Sequence, residues 1–140
     1  MELADTSAWA WSRRRDQPAL RRWFDLRLRR GTIATCDMVR LELLRVARNH
    51  AEFARRAAGL AALPDSPITT FEWRRALYVY EELARQGGGH QRSVGYADLL
   101  IAAAAEGTGV PVLHYDEDFE RIAEITGQPH RWIAPRGSLA

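Results

Sequence analysis

The sequence predicts an α/β domain, a mostly parallel sheet flanked by helices on both faces. Three observations predict it. Short apolar stretches alternate along the chain with longer stretches of helical periodicity. Their order is strand, helices, strand, helices, strand, helix, strand, which suits parallel pairing under helical layers. At 140 residues and 15.9 kDa the chain has room for one core and not two. No linker divides it, so residues 1–140 are expected to form a single domain.

Glu2 to Asp5 is the first strand candidate, and Thr6-Ser7 offers capping hydroxyls for a helix after it. Pro18 suits a first helical turn, where its missing N–H does no harm. Leu20, Phe24 and Leu28 recur at every fourth position and share one helix face. Gly31 ends that helix, and Thr32 to Thr35 reads as a β-branched strand. Val39, Leu43 and Val46 have helical spacing over about three turns. His50 to Leu63 is alanine-rich and helical, until Leu63-Pro64-Asp65-Ser66-Pro67 breaks it. Ile68-Thr69-Thr70 reads as a short strand whose Thr70 caps a helix running to Arg85. Gly87-Gly88-Gly89 predicts a mobile loop. A helix from Gly95 to Glu106 follows and stops at Gly107 and Gly109. Val110 to His114 is the clearest strand, Asp116 to Thr126 is helical, and Arg131-Trp132-Ile133 is the last strand.

Composition narrows the function classes. A chain 46% apolar and 27% charged is a soluble globular protein. The single cysteine, Cys36, can form neither an internal disulfide nor a zinc cluster and reads as a buried small apolar residue. That places the chain in a reducing compartment, the cytoplasm. The longest apolar run, Leu99 to Ala105, is too short to span a bilayer, so no membrane is expected. The N-terminus has no basic-then-apolar pattern of a secretory signal. All 20 basic residues are arginine. Without lysine there is no Walker-type phosphate loop, no pyridoxal phosphate Schiff base and no kinase lysine. Residues 1–75 carry 15 arginines against nine acids, and residues 76–140 carry five against nine. A basic half for a polyanion and an acidic half for cations fit that division.

The acids fall at informative places. Asp5 ends the first strand candidate and Asp116 follows Val110 to His114. Residues just past the carboxyl ends of strands line the crevice of an open α/β sheet. Asp98 sits in the first turn of the helix carrying the apolar run, and Glu42 lies between Leu41 and Leu43. Singly, each has an ordinary use. Asp5 suits a turn or N-cap, Asp98, Asp116 and Asp118 suit helix starts, and Glu42 suits an ion pair with Arg45. Gathered at one sheet end, they repel each other and burial raises their pKa, so a cation is needed. The four histidines are scattered at 50, 90, 114 and 130, so the ligands are oxygen, which suits Mg²⁺ or Mn²⁺ over zinc. Carboxylate-held Mg²⁺ beside an Arg-rich face is equipment for cutting a phosphodiester. One cation lowers the pKa of water, and a second, about 3.5–4 Å away, stabilises the leaving oxygen.

Four segments carry a family resemblance: Leu3-Ala4-Asp5-Thr6-Ser7-Ala8-Trp9, Val39-Arg40-Leu41-Glu42-Leu43-Leu44, Arg92 to Ala105 around Ala97-Asp98-Leu99, and Val110 to Phe119 around Tyr115-Asp116-Glu117-Asp118. In order and spacing the chain resembles a PIN-domain ribonuclease, and within that superfamily the VapC toxins of bacterial toxin–antitoxin pairs. The resemblance implies the PIN fold and Mg²⁺-dependent cleavage of RNA by a homodimer. It also implies inhibition by a cognate VapB-type antitoxin whose tail lies over the active site. The family's four acids carry over to Asp5, Glu42, Asp98 and Asp116 as catalytic and metal-binding residues. Asp118 stands where many members keep a further acid, leaving the last position open between Asp116 and Asp118. Ser7 matches a hydroxyl residue that supports the metal or its water. The glycine loop at 87–89 is a mild departure in its flexibility.

Residues 13–30 hold eight arginines interleaved with Trp23 and Phe24, beyond what solubility requires. Part of this segment is expected to touch RNA phosphates. The resemblance also points to an antitoxin groove here, formed by Leu20, Trp23, Phe24 and Leu28. Trp23 and Phe24 point about 100° apart on a helix, so one side is expected to be covered by another chain. Three competing functions remain. One is a catalytically silent RNA- or antitoxin-binding PIN module. Another is a PIN nuclease of RNA maturation outside a toxin–antitoxin pair. The third, an aspartyl phosphatase, expects an acid two residues after the first and a lysine, where this chain has Ser7 and no lysine.

Overall fold

Side chains alternate across three short strands, and that alternation sets the layers. The computed structural model describes residues 1–140. Strands β1 (Glu2–Ala4), β2 (Ile33–Ala34), β3 (Val112–His114) and β4 (His130–Trp132) form one sheet of order β2-β1-β3-β4, with every pairing parallel. Leu3, Ala34 and Val112 point to one face, and Ala4, Ile33 and Leu113 to the other. The second face is covered by α1 (Thr6–Ser12) and α2 (Pro18–Arg29) through Ala8 and Phe24. The first lies beneath α3 (Asp37–Leu44), α5 (Thr70–Arg85), α7 (Tyr96–Thr108) and α8 (Asp118–Thr126). Two more helices, α4 (His50–Ala61) and α6 (His90–Ser93), complete the chain. Every residue from Leu99 to Ala105 is buried, so α7 is the central helix and its apolar character all round follows. No helix is long and apolar enough to cross a membrane.

Three local expectations are corrected, and a fourth segment gains its geometry. The cap of α1 is Asp5, not Thr6 or Ser7. Its backbone is still extended, and its short carboxylate reaches the Ala8 N–H at 2.9 Å. Ile68 to Thr70 is not a strand: Thr69, not Thr70, caps α5 in a reciprocal pair with Glu72, whose carboxylate accepts the Thr69 N–H at 2.8 Å. α3 stops at Leu44, because Asn49 caps a new helix four residues after Arg45 and leaves the chain between them to turn. Val46 is therefore off the core and 62% exposed. Gly87, Gly88 and Gly89 form a turn with φ of 74°, 66° and 75°, a run of left-handed backbone that only glycine adopts without strain.

Candidate functional site

β1 and β3 lie side by side and end at the same edge of the sheet. From there the chain leaves in opposite directions, β1 into α1 on one face and β3 into α8 on the other. This is the topological switch point of the sheet, where a crevice opens. Asp5 follows β1 and Asp116 follows β3. Asp98 reaches the same edge from the first turn of α7, and Asp118 from the start of α8.

Asp5 is 2% exposed. Ser7 Oγ lies 2.8 Å from both of its carboxylate oxygens and accepts the Tyr115 N–H at 2.8 Å, tying the ends of β1 and β3 together. Burial pushes Asp5 up to about 7, with the Asp116 charge adding to it against the Ala8 and Ser7 donors. Asp98 is pushed further, to about 8, by burial first and then by the charges of Asp116, Asp5 and Asp118. Its retained proton is hydrogen-bonded to Asp118. Asp118 is also raised by burial and by Asp116, though the Arg121 guanidinium and the Gly95 N–H oppose this.

Asp116 is oriented from below. Its N–H donates to His114 Nδ1 at 3.1 Å, and its Oδ1 accepts the Asp118 N–H at 2.9 Å. Burial and the neighbouring His130 hold the fully buried His114 down to about 3, so its ring is neutral. With Nδ1 accepting, Nε2 carries the proton and faces His130 Nδ1 at 2.9 Å. One oxygen from each of Asp98, Asp116 and Asp118 lies within 4.8 Å of the others. Three convergent carboxylates, with Asp98 and Asp118 both raised by burial and by the Asp116 charge, fit a hard divalent cation with oxygen ligands.

Glu42 stands outside this trio, half-buried on α3, where its Oε1 accepts the Thr6 hydroxyl at 2.7 Å. Sequence reasoning missed Thr6, His130 and Arg121 as parts of this neighbourhood. Only Arg121 carried a signal, its position three residues after Asp118.

The expected groove of Leu20, Trp23, Phe24 and Leu28 is corrected. Phe24 is fully buried and packs edge-on against Trp9 at 5.0 Å. Trp23 is covered by its own chain, with the Arg27 and Arg131 guanidinium groups 4.4 and 5.3 Å from its ring. Leu20 packs against the same core cluster. Of the four, only Leu28 lines the cavity of about 650 Å³ between α1, α2, α3 and α4. Trp9, Leu43, Val46, Leu60 and Leu63 also line it, Arg13, Arg55 and Arg56 edge it, and Thr6 and Glu42 join it to the acidic site. Several arginines of residues 13–30 are likewise spent within the chain: Arg13 pairs with Asp25, Arg14 with Asp16 and Arg27 with Glu2.

The raised carboxyls give the metal-free protein a characteristic pH dependence. Asp5 and Asp98 bind protons more tightly folded than unfolded, where a carboxyl titrates near about 3.9. Their stabilising protonation is lost as pH rises through about 7 to 8. His114 works oppositely, since its lowered pKa costs stability as pH falls below an unfolded value of about 6.5. From pH ~6.5 to ~8.5 the carboxyls dominate. The melting temperature in chelator is expected to fall across that interval, and Mn²⁺ to restore more of it at the upper end. A flat profile in both conditions would contradict the shared acidic pocket.

The switch-point crevice and its convergent acids define an α/β protein with three carboxylates grouped closely enough to hold a cation. The PIN domain model matches residues 3–125, and the chain belongs to the PIN-domain family. Ribonuclease VapC18 of Mycobacterium tuberculosis is 46% identical over 135 residues, covering 96% of each chain. Ribonuclease VapC51 of the same organism is 40% identical over 137 residues, 98% of this chain and 96% of that one. DNA-bound VapBC from Salmonella typhimurium has the same fold, with a TM-score of 0.71 and 22% identity over 96% of this chain and all of that one.

Proposed function

We propose that this chain is a Mg²⁺-dependent endoribonuclease of the VapC kind, with Mn²⁺ able to substitute, held inactive by a cognate antitoxin. The observation that carries this is the meeting of Asp98, Asp116 and Asp118 beside buried Asp5 at the switch point. Asp98, Asp116 and Asp118 would hold the cation. When bound, it supplies a water of lowered pKa and neutralises charge on the phosphate. Asp5 is clamped by Ser7 and Ala8 and would stand as a fixed carboxylate beside the cation, its proton passed to solvent. Thr6 holds Glu42 by Oε1, which leaves Oε2 open to accept a proton from a water at the crevice mouth. The names of the relatives, ribonucleases VapC, support RNA as the substrate.

The antitoxin reading moves to the groove around Leu28. An apolar helical segment of the partner would fill it, and acidic partner residues would meet Arg13, Arg55 and Arg56. Because Thr6 and Glu42 close one end of the groove, its occupant lies within reach of the acidic site. The toxin–antitoxin complexes among the structural neighbours support an antitoxin as the partner.

Purified protein is expected to cut RNA with Mg²⁺ or Mn²⁺, to stop in EDTA and to recover when the cation is restored. Cutting that persists in excess chelator would overturn the metal-dependent reading. Absence of cutting with both cations would favour a silent binding module.

A further inference from the structure

α8 opens with Asp118 and carries Arg121 on the same side one turn later. Arg121 is the only basic residue within ion-pairing distance of Asp5, Glu42, Asp98, Asp116 or Asp118, its Nη1 lying 3.5 Å from Asp118 Oδ1. Its hydrogen bonds go elsewhere: Nη1 donates to Ser93 Oγ at 3.0 Å and Nη2 to Glu117 Oε1 at 3.2 Å. Neither partner requires this charge, since Ser93 is a neutral hydroxyl and Glu117 is already paired with Arg136. Helix-surface pairs of this spacing contribute little to stability. The result is a guanidinium tethered from α6 and α8, one third exposed, at the edge of the acidic cluster.

A fixed positive charge at that place opposes a divalent cation, so the acids alone do not explain it. An anion bound between the cation and Arg121 does. A phosphodiester presents non-bridging oxygens that a guanidinium fork binds with two parallel donors. We propose that Arg121 contacts the phosphate of RNA bound at the acidic cluster, and that without RNA it serves as a counter-charge to Asp118. This inference rests on the ribonuclease reading above. It gives Arg121 opposite effects on the two ligands, helping RNA bind and hindering the cation.

The test uses Arg121→Gln and, to loosen the tether at an exposed residue, Ser93→Ala. Cation affinity is read from a Mn²⁺ titration of melting temperature without RNA. RNA affinity is read with Mn²⁺ from the anisotropy of a labelled single-stranded oligoribonucleotide in a Glu42→Gln background, which leaves the three-carboxylate cluster intact. Arg121→Gln is expected to bind Mn²⁺ severalfold more tightly and RNA about tenfold more weakly, with a shallower salt dependence. Ser93→Ala is expected to weaken RNA binding by a smaller factor and to leave Mn²⁺ affinity unchanged. Unchanged RNA affinity in Arg121→Gln would overturn the proposal, as would weaker Mn²⁺ binding, which would make Arg121 a prop for α8. If the parent with Arg121 intact binds no RNA, the ribonuclease reading fails as well, and that failure is visible before either variant is compared.

Discussion

Asp98→Asn is expected to lose RNA cleavage by roughly a thousandfold or more, because ligand loss at a catalytic cation site removes several kcal/mol of transition-state stabilisation. The same substitution is expected to raise the stability of the metal-free protein. Asp98 pays for burial and for three neighbouring acids, which together push it to about 8. Asparagine keeps the shape and removes the charge. The stability gain should therefore be largest above pH ~8, where Asp98 would ionise, and shrink toward pH ~5, where it is protonated anyway. Melting curves in chelator at both pH values, beside a cleavage assay with Mn²⁺, separate the two effects. Cleavage near the wild-type rate would leave Asp98 as a first-turn acid of α7 and nothing more. A variant less stable than the parent at high pH would contradict the repulsion among these carboxyls.

The sheet edge was legible because strand ends are local. Val110 to His114 and Glu2 to Asp5 are readable from a few residues each, and parallel pairing then carries Asp5 and Asp116 to one edge. Which acids approach closely was not readable, because it depends on helix entry angles. Asp118 joins Asp98 and Asp116, while Glu42, in the last turn of α3, is drawn to Thr6 instead. That Leu20, Trp23, Phe24 and Leu28 do not share one cavity has a similar cause. Helical spacing shows that Leu20, Phe24 and Leu28 share a face but not what covers it. Here α1 covers Phe24, and Arg27 and Arg131 close over Trp23, leaving only Leu28 at the opening. The spacing of Val46 continues that of Val39 and Leu43 and predicts one longer helix. The Asn49 cap of the next helix ended α3 first, and Val46 became part of the groove wall.

Gly59→Trp is expected to block antitoxin docking while leaving the fold and the metal-dependent cleavage of the free protein intact. Gly59 lies within α4, lines the groove, and has nothing within 4 Å of where a Cβ would stand. A side chain there projects into the groove rather than into the core. Its backbone is ordinary helix, and glycine in a helix interior costs about 0.5–1 kcal/mol relative to alanine, so the domain should lose no stability. An indole in the space that an apolar helix would occupy overfills the interface, at a cost of about 1–3 kcal/mol. That corresponds to roughly fivefold to 150-fold weaker inhibition. Gly59→Ala is the control, since a methyl group fits the open space and should leave binding near the parent value. Titrating antitoxin against cleavage by each variant reads the difference directly. Full inhibition of Gly59→Trp at the parent's antitoxin concentration would place the partner on another surface, and the groove beside Glu42 would then have no part in restraining the enzyme.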